Sequence, residues 1–203
     1  MSEASRTLYK ESLLRRSPRA FLSDPVDMDT IKDCILTAGT APSGANLQPW
    51  HFVAVTDPEM KRQIRDEAEE VERNFYKSKI SDQWRSDLQH LELDISKPFL
   101  TQAPCLIVIF RENYRISETG EKLSNYYVPE SCGIATGLLI NALRNAGYST
   151  LTYTPAPMSF LRTLLHRGNN ENPEMILCVG KPDSEYVYPE LTRKTLQEIL
   201  TVI

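Results

Sequence analysis

Residues Cys105-Leu106-Ile107-Val108-Ile109-Phe110 form an unbroken apolar run, β-branched at its centre. A strand of this kind has no face to give to water, so it must run inside a sheet covered on both sides. Residues 129–146 impose a second demand. Ile134, Leu138, Leu139, Leu143 and Ala146 make a helix apolar almost all round, and Ser131, Gly133, Ala135 and Gly137 give its first turns small side chains. Such a helix is buried centrally or against another subunit. A covered sheet plus a buried helix in 203 residues gives one α+β or α/β domain with a mixed central β-sheet flanked by helices.

The other elements follow from spacing and punctuation. Residues 7–16 read as a helix ending near Arg15-Arg16-Ser17-Pro18. Met28, Ile31, Cys34, Ile35 and Ala38 give an amphipathic helix over 28–38, with Asp27 as N-cap and Gly39 as its stop. Strands are expected at 50–55, 149–153 and 174–179, with Gly147 closing the apolar helix. Residues 58–97 are charge-rich and hold no strand-like run; they predict a helix to about residue 79 and a second over 82–94. No linker divides the chain, so 1–203 is a single domain with a polar C-terminal arm over about 183–203.

Composition removes several classes. A formal net charge of −4 argues against nucleic acid as a partner. No apolar run approaches the roughly 20 residues of a membrane span, and the first residues lack the apolar core of a secretion signal. A cytoplasmic protein is expected. Cys34, Cys105, Cys132 and Cys178 form no C-x-x-C pair and read as reduced core thiols. His51, His90 and His166 are scattered, so no metal site is expected.

Three segments could carry chemistry. Arg15-Arg16-Ser17-x-Arg19 places three guanidiniums and a hydroxyl where they can clamp a phosphate. Pro42-Ser43-Gly44-Ala45 is a loop of small residues whose backbone N–H groups can approach a flat or anionic ligand. Arg193-Lys194 adds late cations. Each alone is also compatible with a solvated helix end or a plain turn. The G-x-G-x-x-G, G-x-x-x-x-G-K-[ST], G-x-S-x-G and H-E-x-x-H motifs are missing, so a phosphate-bearing cofactor would be held by side chains and loop amides.

Taken in order, Arg15-Arg16-Ser17-x-Arg19, the Pro42-Ser43-Gly44-Ala45-x-x-x-Pro49-Trp50 loop, the glycine-bearing helix and Arg193 resemble the FMN-dependent nitroreductase superfamily. Within it the chain is most similar to the iodotyrosine deiodinases. Residues 37–45, Asn145-Ala146-Gly147 and Thr152-Tyr153-Thr154-Pro155 carry that resemblance, which spans about residues 8–200. It implies a nitroreductase-like fold with a helical active-site lid over about 66–97. It also implies a homodimer with FMN at the interface.

By that resemblance, Arg15, Arg16, Ser17, Arg19, Pro42, Ser43, Gly44, Thr152, Tyr153, Thr154 and Arg193 hold the cofactor. Thr154 also tunes it for one-electron steps. Ala45 N–H meets a halotyrosine phenolate. Glu72, Tyr76 and Lys97 match the family's clamp for an amino acid zwitterion: Glu72 for the ammonium, Tyr76 and Lys97 for the carboxylate. Glu72 and Tyr76 are i and i+4, so one helix puts them on one face. The implied activity is reductive dehalogenation of halotyrosines, fed by a partner reductase or NAD(P)H. A general nitroreductase or quinone reductase using a nicotinamide donor stays open, as does a non-catalytic flavin-binding module. Membrane-anchored deiodinases carry an N-terminal span that this sequence does not show.

Overall fold

The computed structural model describes residues 2–78 and 95–203, without the side chains of residues 75–78. The expected helix over 82–94, and with it half of the expected lid, lies outside the described residues.

The chain opens with α1 (Glu3–Leu13), which starts earlier than expected because the Ser2 side chain caps it by accepting from Ser5 N. It also ends earlier, so Arg15 to Arg19 leave the helix and run on as irregular chain. Helix α2 (Met28–Ala38) has the expected cap: the Asp27 carboxylate accepts from Asp29 N and Thr30 N. Strand β1 (Trp50–Val55) and the long helix α3 (Pro58–Ser78) follow. A short helix α4 (Phe99–Gln102) leads into β2 (Cys105–Glu112). Next come a small hairpin of β3 (Tyr114–Ile116) and β4 (Lys122–Ser124), helix α5 (Val128–Asn145) and strand β5 (Ser149–Tyr153). Gly147, at φ +86°, supplies the left-handed residue between α5 and β5. Helix α6 (Phe160–Leu164), strand β6 (Glu171–Gly180) and helix α7 (Leu196–Ile199) complete the described elements.

The main sheet has the order β1-β2-β6-β5. Every pairing in it is antiparallel, where a mixed sheet was expected. The apolar run predicted two-sided burial correctly but says nothing of strand direction. Residues 105–110 of β2 are fully buried, and alternation sends them to opposite layers. Leu106, Val108 and Phe110 join Ile64, Ala68, Phe99 and Leu100 under α3 and α4. Cys105, Ile107 and Ile109 join Ile31, Leu139 and Leu143 under α2 and α5. The four cysteines are free and buried; burial pushes the Cys105 thiol up to about 11 and Cys132 to about 12.

Strand β6 begins three residues before the expected 174, because Pro173 masked it. The register steps from Ile109↔Met175 to Phe110↔Pro173, leaving Glu174 as the bulged residue, where its carboxylate pairs with Arg111 at 2.8 Å. Two hydrogen bonds, Leu22 N to Lys181 O and Asp183 N to Ala20 O, tie the segment after Arg19 to the start of the C-terminal arm. That lacing draws the first and last cationic segments toward each other. Among the described residues no helix is long and apolar enough to cross a membrane.

Candidate active site

A cavity of about 340 Å³ opens beside β5, lined by Arg15, Arg16, Ser17, Arg19, Thr152 and Arg193, with Leu151, Tyr188, Pro189 and Leu191. Six of the expected cofactor residues therefore meet in one place, from three distant parts of the chain. Among the described residues no carboxylate lines the cavity. Among the described residues none of the four guanidiniums is in an ion pair. Burial holds the Arg15 guanidinium below its usual range, and the Arg193 and Arg16 charges push it the same way. Crowded cations of this kind fit a dianionic phosphate that would offset them.

Local contacts hold the cluster. Arg15 Nη1 donates to Ser17 Oγ at 3.1 Å. Arg16 donates to the Pro189 carbonyl and lies over the Tyr188 ring, 4.7 Å from its centroid. Tyr188, Pro189 and Leu191 were not singled out in the sequence; no spacing rule marks an extended arm that folds back over a pocket.

A second cluster lies under α3. Lys97 Nζ sits 3.3 Å from Glu72 Oε2, and the Tyr153 hydroxyl donates to Glu72 Oε1 at 3.0 Å. Lys97 is 4% exposed, so its charge is offset inside the protein by Glu72. Helix α3 places Tyr76 one turn beyond Glu72, but the Tyr76 side chain lies outside the description. Glu69 steadies the same corner. Its Oε1 accepts from Lys97 N at 2.7 Å and from Arg65 Nε at 2.6 Å.

Tyr153 was expected with the cofactor. Its ring instead packs edge-on against Phe99, with centroids 5.3 Å apart, and its hydroxyl turns to Glu72. Burial, then the Glu72 charge, raises the phenol well above its ordinary range, so it stays a donor. Thr152 and Thr154 flank it and are exposed, as alternation along β5 requires. Anything Tyr153 gives a cofactor comes from its main chain.

The Pro42–Ala45 loop lines neither cluster. It is shaped from within: Ser43 Oγ accepts from Gln48 N at 3.0 Å, and Ala45, Asn46 and Gln48 have φ of 49°, 53° and 50°. Left-handed backbone at three non-glycine residues in one short loop is the pattern found where a binding surface is held in shape. Gly44 lies against the entry to α5, where a Cβ would stand 2.8 Å from both Tyr126 O and the Tyr127 ring.

Residues 14–181 match the nitroreductase family. The iodotyrosine deiodinase of Haliscomenobacter hydrossis is 44% identical over 188 residues, 93% of this chain and 85% of that protein. Human iodotyrosine deiodinase 1 is 40% identical over 204 residues, covering all of this chain and 71% of the human one. A crystal structure of oxidised iodotyrosine deiodinase bound to FMN and 3-iodo-L-tyrosine superposes with a TM-score of 0.82 at 31% identity. It covers 93% of this chain and 96% of that one. The covered sheet, the cation-lined cavity and the Glu72–Lys97 pair thus stand within a likeness that runs nearly end to end: the chain belongs to the nitroreductase family and, inside it, to the iodotyrosine deiodinase branch.

Proposed function

We propose that this chain is an FMN-dependent reductive dehalogenase of halotyrosines, active as a homodimer. The observation that carries the reading is the Glu72–Lys97 pair: two opposite charges, held at 3.3 Å in a nearly dry corner, are complementary to an amino acid zwitterion. A flat aromatic lacking the amino acid group has no use for them.

The residues present fit FMN. Arg15, Arg16, Ser17, Arg19 and Arg193 would hold its phosphate end, Thr152 and Thr154 its ring edge, and the Pro42–Gly44 loop its face. Bound FMN supplies two reducing equivalents, so that a carbon–halogen bond plus two electrons and one proton gives a carbon–hydrogen bond and halide. The protein's own part is placement. Glu72 receives the ammonium, Lys97 and Tyr76 receive the carboxylate, and Ala45 N–H donates to the phenolate oxygen. Pinned at both ends, the substrate ring has one orientation left. Thr154 Oγ, exposed just past β5, would donate to the cofactor and tune it. The reducing equivalents come from outside the chain, from a reductase or NAD(P)H.

A homodimer is supported by surfaces left uncovered in the single chain. Gly133 and Gly137 face outward on α5, beside exposed Ile134, and helices α1 and α7 bury none of their residues. The loop and the two clusters would then complete one site across two copies.

The test is direct. FMN-reconstituted protein is reduced with dithionite and iodide release from 3-iodotyrosine is measured, beside nicotinamide-driven reduction of a nitroarene. Iodide release with poor nitroarene turnover is expected; the reverse pattern would make the chain a general nitroreductase. Glu72→Gln should weaken 3-iodotyrosine binding by about 1.5–3 kcal/mol, the range for a hydrogen bond to a charged group, and leave 2-iodophenol binding unchanged. Flavin fluorescence quenching reads both.

A further inference from the structure

The Glu72 carboxylate is engaged at both oxygens before any ligand arrives, by Lys97 at Oε2 and by the Tyr153 hydroxyl at Oε1. Lys97 is a counter-charge that a zwitterion can draw away, since the ligand's own ammonium replaces it and the ligand's carboxylate attracts it. Tyr153 is different. Its phenol is neutral, is kept protonated by burial and by Glu72, and is fixed by edge-on packing on Phe99. It also belongs to a sheet strand, whereas Glu72 belongs to a helix.

We infer that Tyr153 is a positioning residue for amino acid recognition: it anchors Glu72 Oε1 to the sheet, so that the carboxylate keeps its aim when Lys97 turns to the substrate carboxylate. This rests on the reading of the site as a halotyrosine clamp. A glutamate carboxylate has about four acceptor positions, so one bond from Tyr153 leaves places for an ammonium. Without that bond, an arriving ammonium would have to order the Glu72 side chain itself, and the ordering lowers affinity. Tyr153 touches neither substrate nor cofactor through its side chain in this scheme. It acts through Glu72, as a specificity residue for ligands that carry an amino group.

The experiment uses the FMN-loaded enzyme and Tyr153→Phe, which keeps the ring against Phe99 and removes only the donor. Dissociation constants for 3-iodotyrosine and 2-iodophenol are measured by flavin fluorescence quenching, with flavin content and melting temperature as controls. Affinity for 3-iodotyrosine should fall about ten-fold, as for loss of a hydrogen bond to a charged group. Affinity for 2-iodophenol should not move. KM should rise with kcat little changed, as expected when binding common to ground and transition states is removed. In a Glu72→Gln background Tyr153→Phe should have little further effect, because the two act as one unit. A merely structural role would shift both ligands together and add to Glu72→Gln; either result overturns the inference. Should Tyr153→Phe fail to hold flavin, the same ratio is read on Tyr153→His, whose shorter ring falls short of Glu72, and the same selective loss is required. If the wild type itself does not prefer 3-iodotyrosine over 2-iodophenol, it is the halotyrosine reading that fails. If the wild type prefers it and the variant keeps that preference, only the role of Tyr153 fails.

Discussion

Gly44 meets a demand that has nothing to do with a ligand. A Cβ there would stand 2.8 Å from the Tyr126 carbonyl oxygen, which belongs to the main chain and cannot swing aside. Gly44→Ala should therefore destabilise the fold by about 1–3 kcal/mol, as overpacking does, and a denaturant titration measures it. Thr154→Ala removes a hydroxyl from an exposed residue just past β5. Flavin content and 3-iodotyrosine affinity should persist, while iodide release slows about ten-fold, the scale of one strong hydrogen bond. Unchanged release would remove Thr154 from the chemistry. Residue identities were readable here because motifs name residues: Arg15, Arg16, Arg19 and Arg193 were chosen from cation spacing and resemblance, and they converge on one cavity. The direction of Tyr153 was not readable. Alternation tells that residues 151 and 153 share a face, but which face looks inward depends on what packs there.

At the scale of elements, α3 is moored to the chain ahead of α4 by Glu69 and Arg65. Burial alone would raise the Glu69 carboxyl, but the Lys97 N–H and the Arg65 guanidinium outweigh it and hold Glu69 below the usual range. A lowered folded value means that its contribution is present above the unfolded glutamate value and is lost as pH falls through the folded one. Glu69→Gln should accordingly flatten the acid arm of the stability curve below about pH 4, where an ordinary glutamate titrates. It should also weaken 3-iodotyrosine binding, because an uncharged amide oxygen holds the Lys97 N–H less strongly than the carboxylate does. Thermal melts across pH 3–7 check the first and fluorescence quenching the second; an acid arm as steep as the wild type's would show that Glu69 is not the group responsible. The elements best read from sequence were those with chemical end-marks: Asp27 before α2, Gly147 after α5. The β3–β4 hairpin and the front of β6 escaped notice. Three-residue strands carry no period, and Pro173 argues against a strand unless the bulge at Glu174 is known.

At the scale of the whole molecule, α5 makes opposite predictions for one chain and for two. A Cβ at Gly133 or Gly137 meets nothing within 4 Å in the single chain. Alanine is a better helix former than glycine by about 1 kcal/mol, so on a free surface either substitution should stabilise α5. If a second copy packs its backbone there, Gly137→Ala should instead loosen the assembly and lower flavin content, which sizing and absorbance at the flavin band would record. The same logic reaches the two ends of the chain. Leu8, Leu13 and Leu14 at one end and Leu196, Ile199 and Leu200 at the other are all exposed, and the arm between Lys181 and α7 supplies Tyr188, Pro189 and Arg193 to the cavity. If a second copy moors this arm, as proposed, the cavity lacks a wall whenever the copies separate. Holding the cofactor then becomes a second-order event. On serial dilution the yellow colour should bleach faster than the protein is thinned, and recover when the solution is concentrated again.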